Sequence, residues 1–338
     1  MKAIAPGKLI LSGEHAVVYG KPAIALAIDR FTHTTISRNN IRGVGFNFID
    51  LNLKVFTTIR RLVRLMHRLT EKHKEFIHHR CQVSEILQKP YELAQFVSIL
   101  VLKQFNVILD RGIDISVQSS IPIGCGMGSS AATTVSMIHA IAHYFHLPIN
   151  PKFFLKLALE AERLQHGYSS GLDLHVSYYG GCIYFQQGNV LKRTLPDIPM
   201  FLVQTGTPLT STGQCVSHAA NTFKTSDIAD DFAAVTEAID DALRNGSMKS
   251  MQYGIRANQH LLETIGVVPA KVSEFIRAIE QLGGAAKICG AGAVAGNNAG
   301  SVLLVIDQPP IELLEQYGYS FTPIKKDVPG AHIITSTP

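Results

Sequence analysis

The passage from Ile113 to Phe145 constrains the fold more than any other part of this chain. Ile113-Asp-Ile-Ser-Val-Gln-Ser119 alternates apolar and polar residues, which predicts a half-buried strand. The turn Ile121-Pro-Ile-Gly-Cys-Gly-Met-Gly128 follows. Ser129 and Ser130 then open a run in which Met137, Ile138, Ile141, Ala142 and Phe145 share one helical face. Glycines let a backbone approach a ligand closely. The first turn of a helix offers unpaired N–H groups and about half an elementary positive charge. A strand that feeds such a turn, and a turn that feeds such a helix, make a phosphate cradle. Its wall would be Gly124, Cys125, Gly126, Met127, Gly128, Ser129, Ser130 and Ala131. The two hydroxyls can cap the helix or reach a phosphate-bound cation. The same residues also fit a plain strand–turn–helix with Ser129 as N-cap. The stretch is neither a Walker A sequence nor a dinucleotide fingerprint. A second glycine-rich stretch, Gly283-Gly284 and Gly290-Ala-Gly-Ala-Val-Ala-Gly296, adds modest support.

The rest of the chain predicts an α+β protein, with helices segregated from antiparallel strands. Lys2–Ser12 reads as a strand interrupted by Pro6-Gly7. With Ala23–Ile28 and Thr32–Ser37 it would form an opening β-meander. Leu53–Lys74 changes to a helical period, with Leu62, Leu65, Met66 and Leu69 on one face and Arg61, Arg64, Arg68 and Lys72 around it. Tyr91–Phe105 looks helical, and Pro151 suits the first position of a helix reaching Gln165. Tyr178–Phe185 and Met200–Gln204 read as strands. The second half alternates helices at Asp227–Asn245 and Lys271–Leu282 with short strands near Lys287 and at Ser301–Asp307. The length of 338 residues suggests two domains. The stretch around Pro196 and Pro199 divides them into 1–195 and 196–338.

Several classes are disfavoured. The formal charge is only +5, and the basic residues concentrate between Arg60 and Arg80 without the dense aromatic-interleaved face of a nucleic-acid binder. An anionic small substrate fits the balance equally well. Cys81, Cys125, Cys182, Cys215 and Cys289 are odd in number and widely spaced, which predicts reduced thiols in a cytoplasmic protein. No long apolar region marks a signal peptide or a membrane span. His67, His73, His78 and His79 lie on the basic amphipathic run without paired Cys or carboxylates, so a solvated helix face is preferred over zinc. Cys125 is read as a small packing residue in a tight turn rather than a reactive thiol.

Three segments, in order and at matching spacing, resemble the superfamily of galactokinase, homoserine kinase, mevalonate kinase and phosphomevalonate kinase (the GHMP kinases). They are Pro6-Gly-Lys-Leu-Ile-Leu-Ser-Gly-Glu-His-Ala-Val-Val-Tyr-Gly-Lys-Pro-Ala-Ile24, Pro122-Ile-Gly-Cys-Gly-Met-Gly-Ser-Ser-Ala-Ala132 and Lys287-Ile-Cys-Gly-Ala-Gly292. The first segment looks like that of the mevalonate kinases. Glu162-Arg-Leu-Gln-His-Gly-Tyr-Ser-Ser-Gly-Leu-Asp173 is similar to the superfamily's catalytic-Asp segment, and Asn258-Gln-His-Leu-Leu262 resembles the mevalonate kinase C-terminal part. The third motif departs from the pattern. It has Cys289 where Ser or Thr is usual, and it continues Ala293-Val-Ala-Gly-Asn-Asn-Ala-Gly300 instead of with further glycines.

The resemblance implies a ribosomal-protein-S5-like N-terminal domain, a ferredoxin-like C-terminal domain and an active site in the cleft between them. It implies ATP-dependent phosphorylation of the 5-hydroxyl of mevalonate, with ATP as co-substrate and Mg²⁺ as cofactor. Asp173 would be the general base, with Lys8 beside it stabilising developing charge. Glu162 with Ser129 or Ser130, the second serine preferred, would hold the ion. Lys8, Glu14, His15, Asp173 and Thr212 would face the alcohol, and His166 would orient the Asp173 loop. Gly290, Ala291 and Gly292 would support the phosphate loop. A homodimer is also implied; nucleic-acid and membrane partners are not expected. Two alternatives remain: another small alcohol (phosphomevalonate, an isoprenoid alcohol or a sugar), or a binding protein that keeps the fold without turnover.

Overall fold

The computed structural model describes residues 2–334, which form two antiparallel-rich sheets with helices packed against them. The chain runs β1 (Lys2–Ser12), β2 (Ala23–Asn39), β3 (Val44–Phe48), β4 (Leu53–Thr57), α1 (Ile59–Ile77), α2 (Glu92–Gln104), β5 (Gly112–Ser119), α3 (Ser129–Tyr144), α4 (Pro151–His166), α5 (Leu172–Tyr179), β6 (Cys182–Gln186) and β7 (Asn189–Arg193). It continues through β8 (Met200–Gly206), α6 (Thr212–Thr225), α7 (Ile228–Asn245), α8 (Met248–Thr264), α9 (Ala270–Gln281), β9 (Ala285–Ile288), β10 (Gly300–Val305), α10 (Ile311–Tyr317), β11 (Ser320–Pro323) and β12 (His332–Ile334).

The first sheet has the order β12-β1-β2-β5-β3-β4, with β6 on the far reach of β2 and β7 beyond it. Among the described residues only β3 and β5 run parallel. Helix α3 lies on β1 and β2, and α2, α4 and α5 pack around it. Residues Glu92 to Leu102 of α2 are all buried, which explains why that helix shows no one-sided stripe. The second sheet has the order β11-β8-β10-β9, antiparallel throughout. It follows the βαββαβ plan of ferredoxin-like folds, its first crossover enlarged to the four helices α6–α9. The expected α+β two-domain architecture is therefore present. Strand β12 returns to pair with β1, so the chain finishes its described course on the first sheet.

Several expected elements differ. The segments Ala23–Ile28 and Thr32–Ser37 are one continuous strand, β2, whose neighbour is β5 rather than β3, so the opening is not a meander. Strand β1 is not broken at Pro6-Gly7; it carries a bulge there, the position where a sheet tolerates proline. The predicted helix from Leu53 begins only at Ile59, where the Thr58 hydroxyl accepts from Arg61 N–H; Leu53–Thr57 alternates with period two and forms β4. Tyr178 and Tyr179 end helix α5, and Gly180 and Gly181, both at positive φ, start the turn into β6. Strands β3, β7, β11 and β12 and helices α6, α8 and α10 had no predicted counterpart. Among the described residues no helix is long and apolar enough to cross a membrane.

His139 of α3 sits against Phe154 and Tyr178, ring centroids 4.6 and 5.5 Å away, and its Nε2 is buried without a partner. Burial lowers its pKa from 6.5 to about 4, with His332 and His143 adding repulsion. The unfolded chain therefore takes up this proton at higher pH than the folded one. The stability it contributes is full above pH 6.5 and falls as pH drops toward about 4. Between about pH 7 and pH 5 the wild type should lose roughly 1–2 kcal/mol more stability than His139→Phe, measured by urea unfolding at both pH values.

Candidate active site

A cleft of about 1110 Å³ opens between the two sheets. Its lining brings together Lys8 of β1, the glycine turn, the end of α4, the starts of α3, α5 and α6, and the loop from Cys289 to Gly292.

The glycine turn holds its shape through Gly124, Gly126 and Gly128, with φ of 77°, 75° and 72°. Gly128 is the N-cap of α3, so the first amides of that helix face the cleft with Ser129 and Ser130. Three contacts fix the turn from behind. Lys8 N–H donates to Met127 O at 2.9 Å, directly after the β1 bulge. A Cβ on Gly126 would stand 2.7 Å from Cys289 O, so the turn and the third glycine loop meet backbone to backbone. Ser301 Oγ donates to Cys125 O at 2.9 Å. Cys125 is buried, which raises its thiol pKa, in keeping with a packing residue.

Gly290, Ala291 and Gly292 thus lie behind the phosphate turn and beside the cleft. The departing stretch Ala293–Gly300 is pinned at both ends: Ala293 N–H donates to Val267 O (2.8 Å), Val294 N–H to Thr210 Oγ1 (3.2 Å) and Ala299 N–H to Thr205 Oγ1 (3.0 Å). The two ends of the altered sequence are thus tied to β8, to the loop after it and to the loop between α8 and α9.

Lys8 Nζ stands 3.3 Å from Asp173 Oδ2, with side-chain exposures of 5% and 27%. Asp173 lies in the first turn of α5, whose N-cap, Gly171, has φ 83°. A Cβ on Gly128 would fall 2.8 Å from Lys8 Cγ, so glycine there makes room for the lysine stem. Glu162 is buried one helix away on α4. Its pKa is raised to about 8 by burial, with further repulsion from Asp173, while Ser169 and Lys8 oppose the shift. Six buried side-chain polar atoms among the described residues lack a partner. Only two of them belong to residues lining the cleft, Ser130 Oγ and Glu162 Oε2. Two unsatisfied hard oxygens beside the glycine turn fit a divalent cation that would take its remaining ligands from a bound anion and water.

His15 and Thr212 also line the cleft. His15 Nε2 lies 3.1 Å from Ala291 O, and a carbonyl only accepts, so the ring proton is at Nε2 and Nδ1 is left as an acceptor. Burial lowers its pKa to about 4, so the imidazole is neutral at ordinary pH. Thr212 is exposed at the start of α6. Glu14 reaches the cleft wall, but its carboxylate is taken by Lys287 and Asn258. His166 is at the end of α4, its pKa lowered by burial despite attraction to Asp173. The basic helix α1 buries Leu62 and Leu69 as its pattern predicts, and His73 Nε2 meets Gly167 O at 3.3 Å. Lys287 and Asn258 stand inside motifs of the sequence, and the resemblance assigns neither a role. The signal was present: a lysine inside the apolar strand Ala285-Ala-Lys-Ile288 needs a buried partner.

The fold and this site define a small-molecule kinase. Residues 92–181 match the family model described as GHMP kinases N terminal domain. The mevalonate kinase of Thermococcus onnurineus is 31% identical over 301 residues, 86% of each chain. The solved structure of the Methanococcus jannaschii mevalonate kinase covers 96% of this chain and 98% of its own, with a TM-score of 0.77 at 23% identity. That of the L. major mevalonate kinase in complex with R-mevalonate covers 96% of each chain, with a TM-score of 0.69 at 19% identity. The chain belongs to the mevalonate kinase family.

Gly126→Ala would both strain φ and press a methyl group onto Cys289 O. Nucleotide affinity, measured by calorimetry, should fall by roughly tenfold or more. Gly188→Ala, at φ 84° with no neighbour within 4 Å, shares the backbone strain but should leave nucleotide affinity unchanged.

Proposed function

We propose that the protein transfers the γ-phosphoryl group of ATP to the 5-hydroxyl of (R)-mevalonate, forming 5-phosphomevalonate for isoprenoid synthesis. The observation that carries this reading is the Lys8–Asp173 pair, set in the cleft beside the glycine turn of a mevalonate kinase family member. The phosphates would rest on the Gly124–Ala131 amides and the start of α3, where backbone N–H groups and the helix dipole favour anions. The base would lie against apolar residues of the cleft lining, among them Phe48, Leu51, Leu87, Pro90 and Leu93.

Phosphoryl transfer to an alcohol needs alignment, charge neutralisation and an acceptor for one proton. Asp173 takes the hydroxyl proton as the oxygen attacks phosphorus. Lys8 stabilises negative charge on the entering oxygen and the transferred group. Ser130 and Glu162 would hold Mg²⁺, which when bound neutralises phosphate charge. Neutral His15 accepts a hydrogen bond from a substrate hydroxyl at Nδ1, and Thr212 offers a hydroxyl from the facing wall. The catalytic halves divide near residues 195 and 196. Five free cysteines, four of them buried, fit a reducing cytoplasm.

ADP release with Mg·ATP and (R)-mevalonate tests the reading against phosphomevalonate, homoserine and galactose. Turnover should be saturable and confined to mevalonate. Asp173→Asn should lower kcat by roughly 10²–10⁴-fold while ATP affinity stays unchanged. Full activity in that variant would remove the mechanism. Ser130→Ala should raise the Mg²⁺ concentration needed for half-maximal rate with little change in the mevalonate KM.

A further inference from the structure

His15 is held in a backbone conformation that residues other than glycine rarely adopt. Its φ of 59° and ψ of −49° are those of the centre of a γ-turn, and Ala16 N–H closes that turn onto Glu14 O at 2.6 Å. This form of the γ-turn is strained and persists only where the surroundings over-determine it.

The surroundings here do so through Glu14. Glu14 is 1% exposed, and both of its oxygens are engaged: Oε1 by Lys287 Nζ and Oε2 by Asn258 Nδ2 at 3.3 Å. Lys287 is itself fully buried and also donates to Ile10 O at 3.2 Å. Asn258 Oδ1 accepts from Ser12 Oγ at 2.7 Å. Beside it, Gln259 Oε1 accepts from Ile288 N–H at 3.0 Å, tying α8 to the end of β9. The network therefore joins β1 of the first sheet to β9 and α8 of the second. On the far side of the turn, the His15 ring is anchored on Ala291 O.

We propose that Lys287 and Asn258 are positioning residues for the kinase reaction: clamped on Glu14, they hold the strained turn that fixes the His15 imidazole against the substrate alcohol. The proposal rests on the reading of His15 as a substrate-facing group. It separates two roles that neighbouring residues in one motif could share: Glu14 serves the turn, and His15 serves the ligand.

The test is a cycle of variants. Asn258→Ala and Lys287→Met are each made alone and on a His15→Gly background, where glycine adopts the turn without strain and no imidazole remains to aim. In the otherwise wild-type enzyme, Asn258→Ala should raise the mevalonate KM about tenfold and leave the ATP KM within about twofold. On the His15→Gly background it should add less than about twofold. Equal KM effects on both backgrounds, or a lowered melting temperature with unchanged KM, would overturn the proposal. Should Lys287→Met fail to fold because Glu14 is left as a lone buried charge, Asn258→Ala carries the test alone. A second readout needs no turnover: nitrogen NMR of the wild-type imidazole should show His15 protonated at Nε2 only. Tautomer averaging in Asn258→Ala supports the clamp, and an unchanged spectrum refutes it. If the wild-type protein fails to phosphorylate mevalonate, the functional reading falls, and the spectrum still judges the clamp.

Discussion

The structure hangs on the place where three pieces of backbone meet without side chains between them. Lys8 N–H bonds to Met127 O, Gly126 lies on Cys289 and Gly290, and Gly300 lies on Cys125, where a Cβ would stand 2.8 Å from Cys125 O. Each contact joins the glycine turn to a strand or loop far away in sequence, and two of them cross from one sheet to the other. Side chains at these positions would push the sheets apart. The glycines of the second and third motifs are therefore as much about how the two halves meet as about leaving room for a ligand. The cradle's shape depends on both sheets at once.

Charge is distributed around that meeting point in a consistent way. Helices α3, α5 and α6 begin at the cleft, so their positive ends face inward. Lys8 adds a full charge, 5% exposed. Asp173 is the counterweight, and burial, followed by repulsion from Asp173, raises the Glu162 carboxyl pKa to about 8.

Much of this was legible in the sequence, for local reasons. The glycine turn and the helix after it announce themselves by residue type, and helices α1, α3, α4, α7 and α9 by their period. The reasons for failure were equally physical. The apolar, aromatic end of α5 reads as β-forming because short buried helices carry no stripe. The period-two residues Leu53–Thr57 merged with the helix that follows them. The bulge at Pro6-Gly7 looked like a break because its partner, Met127 O, comes from elsewhere in the chain. At the site, the family resemblance pointed to Lys8, Glu162 and Asp173. It could not show that Glu14 faces away from solvent into a lysine 273 positions later, because such pairing is set by tertiary structure.

Strand β12 has a consequence for how the protein comes into being. Gly330 is packed so closely on the end of α5 that a Cβ there would stand 2.3 Å from Tyr178 O, and Ala331 N–H bonds to Ser177 O. Helix α5 carries Asp173 at its other end. Until residues 329–334 have been synthesised, β1 has an open edge and α5 lacks its clasp. Long-range pairing of this kind is slow to form, and open edges invite association with other chains. A chain in which β12 has not yet paired therefore holds Asp173 on a helix that lacks its clasp.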